Sequence, residues 1–132
     1  MNVVFADTSF YLALINPNDF HHERASRWSR SYHGRIVTTE YVLLELGNTL
    51  ARGRWREVFL ILIGNLQQDK DTVVISASAE LFRRGVDLFM GRPDKEWSLT
   101  DCISFVVVDQ QQLSVVLATD RHFVQAGYTL AF

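Results

Sequence analysis

One cysteine, Cys102, stands among 132 residues. A lone thiol closes no internal disulfide, which argues against a stapled secreted scaffold. Long apolar runs are missing too. Val58 to Ile63 is among the longest, far short of the roughly 20 residues that cross a bilayer. The opening Met1-Asn2-Val3-Val4-Phe5-Ala6-Asp7 has no basic segment and meets an acid at position 7, unlike a signal peptide. Positive charge is not in excess either. The formal net charge is −2, so overall charge gives no support to nucleic-acid binding, although it leaves room for a local basic face. Together these absences lead us to expect a cytoplasmic protein of a reducing compartment, with no membrane attachment.

What is present is an ordinary globular composition, 48% hydrophobic and 21% charged. A chain of this size buries roughly two-thirds of its unfolded surface and builds a core without staples. No repeat, low-complexity stretch or linker divides it, so residues 1–132 are expected to form a single domain.

Short β-type runs alternate with longer helical ones. Strands are predicted at 2–6, 35–38, 72–75, 114–118 and 128–130. Helices are predicted at 9–15, 19–31, 39–52, 55–68, 78–90, 99–110 and 121–126. Asn16-Pro17-Asn18, Gly34, Gly53, Gly91-Arg92-Pro93 and Gly127 punctuate them. The runs Val3 to Ala6 and Val115 to Ala118 are apolar on consecutive residues, the pattern of strands buried on both faces. The expectation is a three-layer α/β/α fold, with a central parallel sheet of four to five strands flanked by helices. In such folds ligands sit beyond the carboxyl ends of strands, near the point where strand order reverses.

Four carboxylates hold positions of interest, and each also has an ordinary explanation. Asp7 ends the first strand and precedes Thr8-Ser9, where it would serve as a helix N-cap. Asp120 leaves another apolar strand in a similar frame. Glu45 interrupts the apolar run Tyr41 to Leu46 and shares a polar stripe with Asn48, Thr49 and Arg52. Asp101 follows Ser98 at capping-box spacing. Glu40 falls in a first helical turn, where a carboxylate meets the positive dipole end. The set says more than its members. Acids at two strand ends and near two helix starts would share one sheet edge. Gathered there they would raise one another's pKa unless a cation sat among them. Hard oxygen ligands suit Mg²⁺ or Mn²⁺, ions that activate water for phosphodiester displacement.

Here the residues resemble a known family. Phe5-Ala6-Asp7-Thr8-Ser9 looks like the opening of a PIN domain. Asp19-Phe20-His21-His22-Glu23-Arg24-Ala25 resembles the second-helix segment of bacterial members. Thr38-Thr39-Glu40-Tyr41-Val42-Leu43-Leu44-Glu45 resembles the helix that delivers an acidic Glu. Ser98-Leu99-Thr100-Asp101-Cys102 looks like the Leu-Thr-Asp segment. Ala118-Thr119-Asp120-Arg121-His122-Phe123 is similar to the terminal Thr-x-Asp-x-x-Phe pattern without its first x, and Gly127-Tyr128 follows. The resemblance covers residues 5 to 128 and points within the family to VapC-like toxin ribonucleases.

That resemblance implies a metal-dependent endoribonuclease, the toxin half of a type II toxin–antitoxin pair. Asp7, Glu45, Asp101 and Asp120 would bind Mg²⁺ or Mn²⁺. Thr8, Ser9 and Thr119 would, by position, hydrogen-bond the metal's waters or the phosphate. It also implies an RNA substrate, a cognate antitoxin and a homodimer.

Two other classes share the opening strand that ends in Asp. A haloacid-dehalogenase-type phosphatase needs a second acid two residues on, where this chain has Ser9. A receiver-type phosphoacceptor needs a late-strand lysine, and lysines occur only at 70 and 95. A PIN fold that binds RNA or protein without cutting is the third alternative. His122 reads as a surface or supporting residue rather than a zinc ligand. Arg24, Arg27 and Arg30, and Arg52, Arg54 and Arg56, read first as solvated surface, with phosphate contact as the alternative. Trp28, Trp55 and Trp97 read first as core or dimer-seam residues, with base stacking as the alternative. Cys102 reads as a small buried residue.

Overall fold

The computed structural model describes residues 2–132. Five strands are interleaved with seven helices: β1 (Val3–Ala6), α1 (Thr8–Ile15), α2 (His22–Ser31), β2 (Arg35–Thr39), α3 (Glu40–Thr49), α4 (Trp55–Gln68), β3 (Thr72–Ile75), α5 (Ala79–Gly91), α6 (Leu99–Gln110), β4 (Val115–Leu117), α7 (His122–Gln125) and β5 (Thr129–Leu130). All strand pairs are parallel, in the order β3-β2-β1-β4-β5. The expected α/β fold, with its central parallel sheet, is the one observed.

The apolar runs of β1 and β4 explain their central place. Val4, Phe5 and Ala6 are buried, as are Val116 and Leu117, and Phe5 lies opposite both Val37 and Val116. Helix α6 is buried on nearly all sides, with Cys102, Ile103, Phe105, Val107 and Val108 in the core. A helix apolar all round belongs inside rather than on the surface. Chain order runs outward from β1 through β2 and β3 on one side, and through β4 and β5 on the other. The reversal therefore falls between β1 and β4, and both strands end at the same edge. That edge is where parallel-sheet folds leave a crevice.

Two helix ends differ from the sequence reading by three residues, the others by at most one. Helix α2 starts at His22, not at Asp19, because the Asp19 side chain accepts from the His21 N–H at 2.8 Å and closes a turn before the helix. Helix α3 ends at Thr49, not at Arg52. Gly53 takes φ +59, a left-handed conformation that glycine adopts without strain, and it turns the chain into α4 rather than ending α3. Glu40 also does more than meet a helix dipole. Its Oε1 accepts from the Ala77 N–H at 2.6 Å, while the Tyr41 hydroxyl donates to the Ser78 carbonyl and accepts from its N–H. The start of α3 thus fastens the turn from β3 into α5.

Helices α5 and α6 approach closely at Gly85, where an added Cβ would overlap Ile103 Cγ1. Gly64, within α4, has open space around the same position. Two alanine substitutions should therefore act with opposite sign in urea unfolding. Gly85→Ala overpacks the α5–α6 seam and should destabilise by about 1–3 kcal/mol. Gly64→Ala should stabilise by about 0.5–1 kcal/mol through helix propensity.

Candidate active site

Asp7 follows β1 directly, and its backbone N–H donates to the Leu117 carbonyl at 3.0 Å. The sheet ladder thus sets where this residue sits. Its side chain caps α1: Oδ2 accepts from the Ser9 N–H at 3.2 Å and from the Ser9 hydroxyl at 2.7 Å. The Ser9 hydroxyl in turn accepts from the Thr119 N–H at 3.0 Å. Oδ1 of Asp7 is buried and has no hydrogen-bond partner. The capping explanation of this residue is correct, and it accounts for only one of the two oxygens.

The same division recurs at two more acids. Ser98 and Asp101 form a full capping box at the start of α6: Asp101 Oδ2 accepts from the Ser98 N–H at 3.1 Å, and Ser98 Oγ accepts from the Asp101 N–H at 3.0 Å. Oδ2 also meets His122 Nδ1 at 2.7 Å. At Asp120, Oδ1 accepts from the His122 N–H at 3.0 Å. In each case the local bond fixes the carboxylate and engages one oxygen. Glu45 is placed differently. It lies in the middle of α3, a helix that packs on both α1 and α6 and is capped by Thr39, whose hydroxyl accepts from the Val42 N–H at 3.1 Å.

All four acids line one cavity of about 270 Å³, together with Thr8, Ser9, Thr49, Ser98 and His122. No lysine or arginine lines it. Asp101, Asp120 and His122 form its tightest group, with one ligating atom from each lying within 4.8 Å of the others. Asp7 and Glu45 complete the wall outside that group. Of the supporting hydroxyls, Ser9 is committed to Asp7 and Thr119. Thr8 Oγ1 is buried without a partner. Thr119 enters through its backbone N–H. Sequence reasoning placed His122 near the site but did not anticipate its bond to Asp101. The only signal was its position two residues after Asp120.

Burial dominates the electrostatics. It pushes the Asp7 carboxyl up to about 7, and the nearby charges of Asp101 and Asp120 push the same way against the Ser9 bonds. Burial also raises Asp120, with the Asp101 charge adding to it and the His122 N–H opposing it. Carboxylates gathered so closely disfavour one another's charged form.

The family model described as PIN domain matches residues 4–127. The 23S rRNA-specific endonuclease VapC20 of Mycobacterium tuberculosis is 27% identical over 126 residues, covering 96% of this chain and 95% of that one. The crystal structure of M. tuberculosis VapC20, a Sarcin-Ricin loop cleaving toxin, superposes with a TM-score of 0.87 at 25% identity, covering 97% of each chain. FitAcB from Neisseria gonorrhoeae shares the fold, with a TM-score of 0.65 at 18% identity over 96% of this chain and 95% of that one.

The raised Asp7 carboxyl makes a prediction for the metal-free protein. Its pKa is about 7 when folded, against an ordinary 3.8. The stability it contributes is therefore fully present below about pH 4 and is lost as pH rises through about 7. Asp7→Asn should stabilise the metal-free chain at pH 8, by roughly 1–3 kcal/mol, and change little at pH 4. Thermal melts in EDTA across that range would show a gap that widens with pH.

Proposed function

The chain belongs to the PIN domain family, and from that premise we propose that it is a metal-dependent endoribonuclease, the toxin half of a type II toxin–antitoxin pair. The observation that carries this reading is the buried, unpartnered Oδ1 of Asp7 in a cavity walled by three further acids. A buried carboxylate oxygen without a donor is costly, and neighbouring acids raise that cost. A divalent cation is what such a set accommodates.

The residues present fit a hard cation. Asp7, Glu45, Asp101 and Asp120 offer oxygen donors, and three of the four are already oriented by bonds to their other oxygen. Oxygen-rich sets of this kind favour Mg²⁺ or Mn²⁺, and we take these as the ions. When bound, such an ion supplies Lewis acidity, lowering the pKa of water and offsetting charge at a phosphodiester.

The chain's own residues then have distinct tasks. Ser9 holds Asp7 to the end of β4 and has no hydroxyl proton left for substrate. Thr8 retains a free hydroxyl for the phosphate or a water. His122 fixes the Asp101 carboxylate, as outer partners of metal ligands commonly do. Single-stranded or looped RNA is the proposed substrate class, and large-subunit rRNA is the first to try, given what the VapC20 relatives act on. We extend the proposal to a cognate antitoxin, a homodimer and a cytoplasmic setting, on the strength of the motif resemblance.

The purified chain, incubated with rRNA and Mn²⁺ or Mg²⁺, should produce discrete cuts that vanish in EDTA and in Asp7→Asn. Cleavage surviving both controls would overturn the reading. A second measurement bears on the ion alone. Protons and metal compete for Asp7, so Mn²⁺ affinity measured by electron paramagnetic resonance should fall as pH drops below about 7, by up to about tenfold per unit. In His122→Ala it should weaken by roughly tenfold or more, and His122→Asn, whose amide can still donate to Asp101, should recover much of that loss.

A further inference from the structure

The acid-lined cavity does not end at its own walls. Leu12 and Thr49 also line a second depression of about 300 Å³ that continues to Trp55. Leu50 carries it on to a third, bounded by Arg56. The path leads to the turn between α3 and α4 and the first residues of α4, positions 51–57, which read Ala-Arg-Gly-Arg-Trp-Arg-Glu. Three arginines face one acid there, in a chain whose net charge is −2. All three are exposed, and among the described residues none forms an ion pair. Arg54 lies over the Trp55 ring at 5.1 Å, and Trp55 is half-buried. Arg56 Nη1 donates to the Ala51 carbonyl at 2.9 Å, which holds that guanidinium at the rim.

We infer that this groove is the track for single-stranded RNA running from the scissile phosphate, with Arg52 and Arg54 meeting backbone phosphates and Trp55 stacking an unpaired base. The inference rests on the nuclease reading above and names how the substrate is held. Charge decides the occupant. Acids line the cavity where a cation would sit; along the continuation Asp19 is the charged residue of the second depression and Arg56 that of the third, with Arg52 and Arg54 exposed on the turn beside Trp55, where the next phosphates would pass. Arginine planes and tryptophan rings are the surfaces on which unpaired bases stack. Exposed arginines without carboxylate partners are also those free to displace counterions from phosphate. An apolar protein segment would use the groove floor but would not account for the cluster of charge at its rim.

The test uses the full chain carrying Asp7→Asn, which stops cleavage, and a short fluorescein-labelled single-stranded oligoribonucleotide followed by anisotropy at several salt concentrations. Arg52→Gln with Arg54→Gln should weaken binding and reduce the slope of log affinity against log salt by about 1.4, from roughly 0.7 per phosphate contact on a single strand. Trp55→Leu should weaken binding by about tenfold and leave the slope unchanged. Arg30→Gln, on α2, removes a charge elsewhere and should leave both unchanged. Arg52 and Arg54 are exposed, so their variants should retain the parent's melting temperature. An unchanged slope in the arginine double variant would overturn the track and leave the groove as a protein-docking surface. If the unmodified chain still cuts RNA with metal, the nuclease reading stands despite that result. If it neither cuts nor binds RNA, both readings fall.

Discussion

Asp7 is fixed from three directions at the seam where β1 and β4 meet. Its N–H bonds to Leu117, its Oδ2 caps α1 through Ser9, and Ser9 is held in turn by Thr119. These bonds tie two strand ends and a helix start to one carboxylate. They also bury that carboxylate, and burial is what pushes its pKa to about 7. The positions of the other acids have meaning relative to this one. Asp120 lies just past the β4 edge that Asp7 is bonded to, and α3 and α6 bring Glu45 and Asp101 to the same cavity.

Capping and metal binding are not rival explanations here. An N-cap carboxylate needs one oxygen for a backbone N–H, and a metal ligand needs one oxygen for the ion. Asp7, Asp101 and Asp120 each give one oxygen to the local chain. That local bond orients each carboxylate, so in the proposed metal site less ordering would remain to be done on binding. The cost falls on the metal-free state, which holds a buried oxygen with no partner. An unsatisfied buried group of this kind weakens the fold locally.

Much of this was legible in the sequence. Apolar runs without alternation marked β1 and β4 as central strands, and their trailing acids marked the sheet edge where the acid-lined cavity lies. All four acids predicted from the motifs line one cavity. What was not legible is instructive. The reach of Glu40 to Ala77 spans 37 positions, and that of Ser9 to Thr119 spans 110. Neither leaves a periodic trace. The arginines at 52, 54 and 56 read first as a polar turn, and nothing local says that a single depression separates that turn from the acid cavity.

Local chemistry therefore settled the elements, the caps and the identity of the acids, because hydrophobic periodicity and capping act over a few residues and are written in consecutive positions. Tertiary structure decided which oxygen of Asp7, Asp101 and Asp120 is left toward the cavity, the bond of His122 to Asp101, and the path from the acids to Trp55. Those depend on which strand lies beside which and on how closely α1, α3 and α6 pack. Such distances are set by the whole core at once, and no short stretch of sequence contains them.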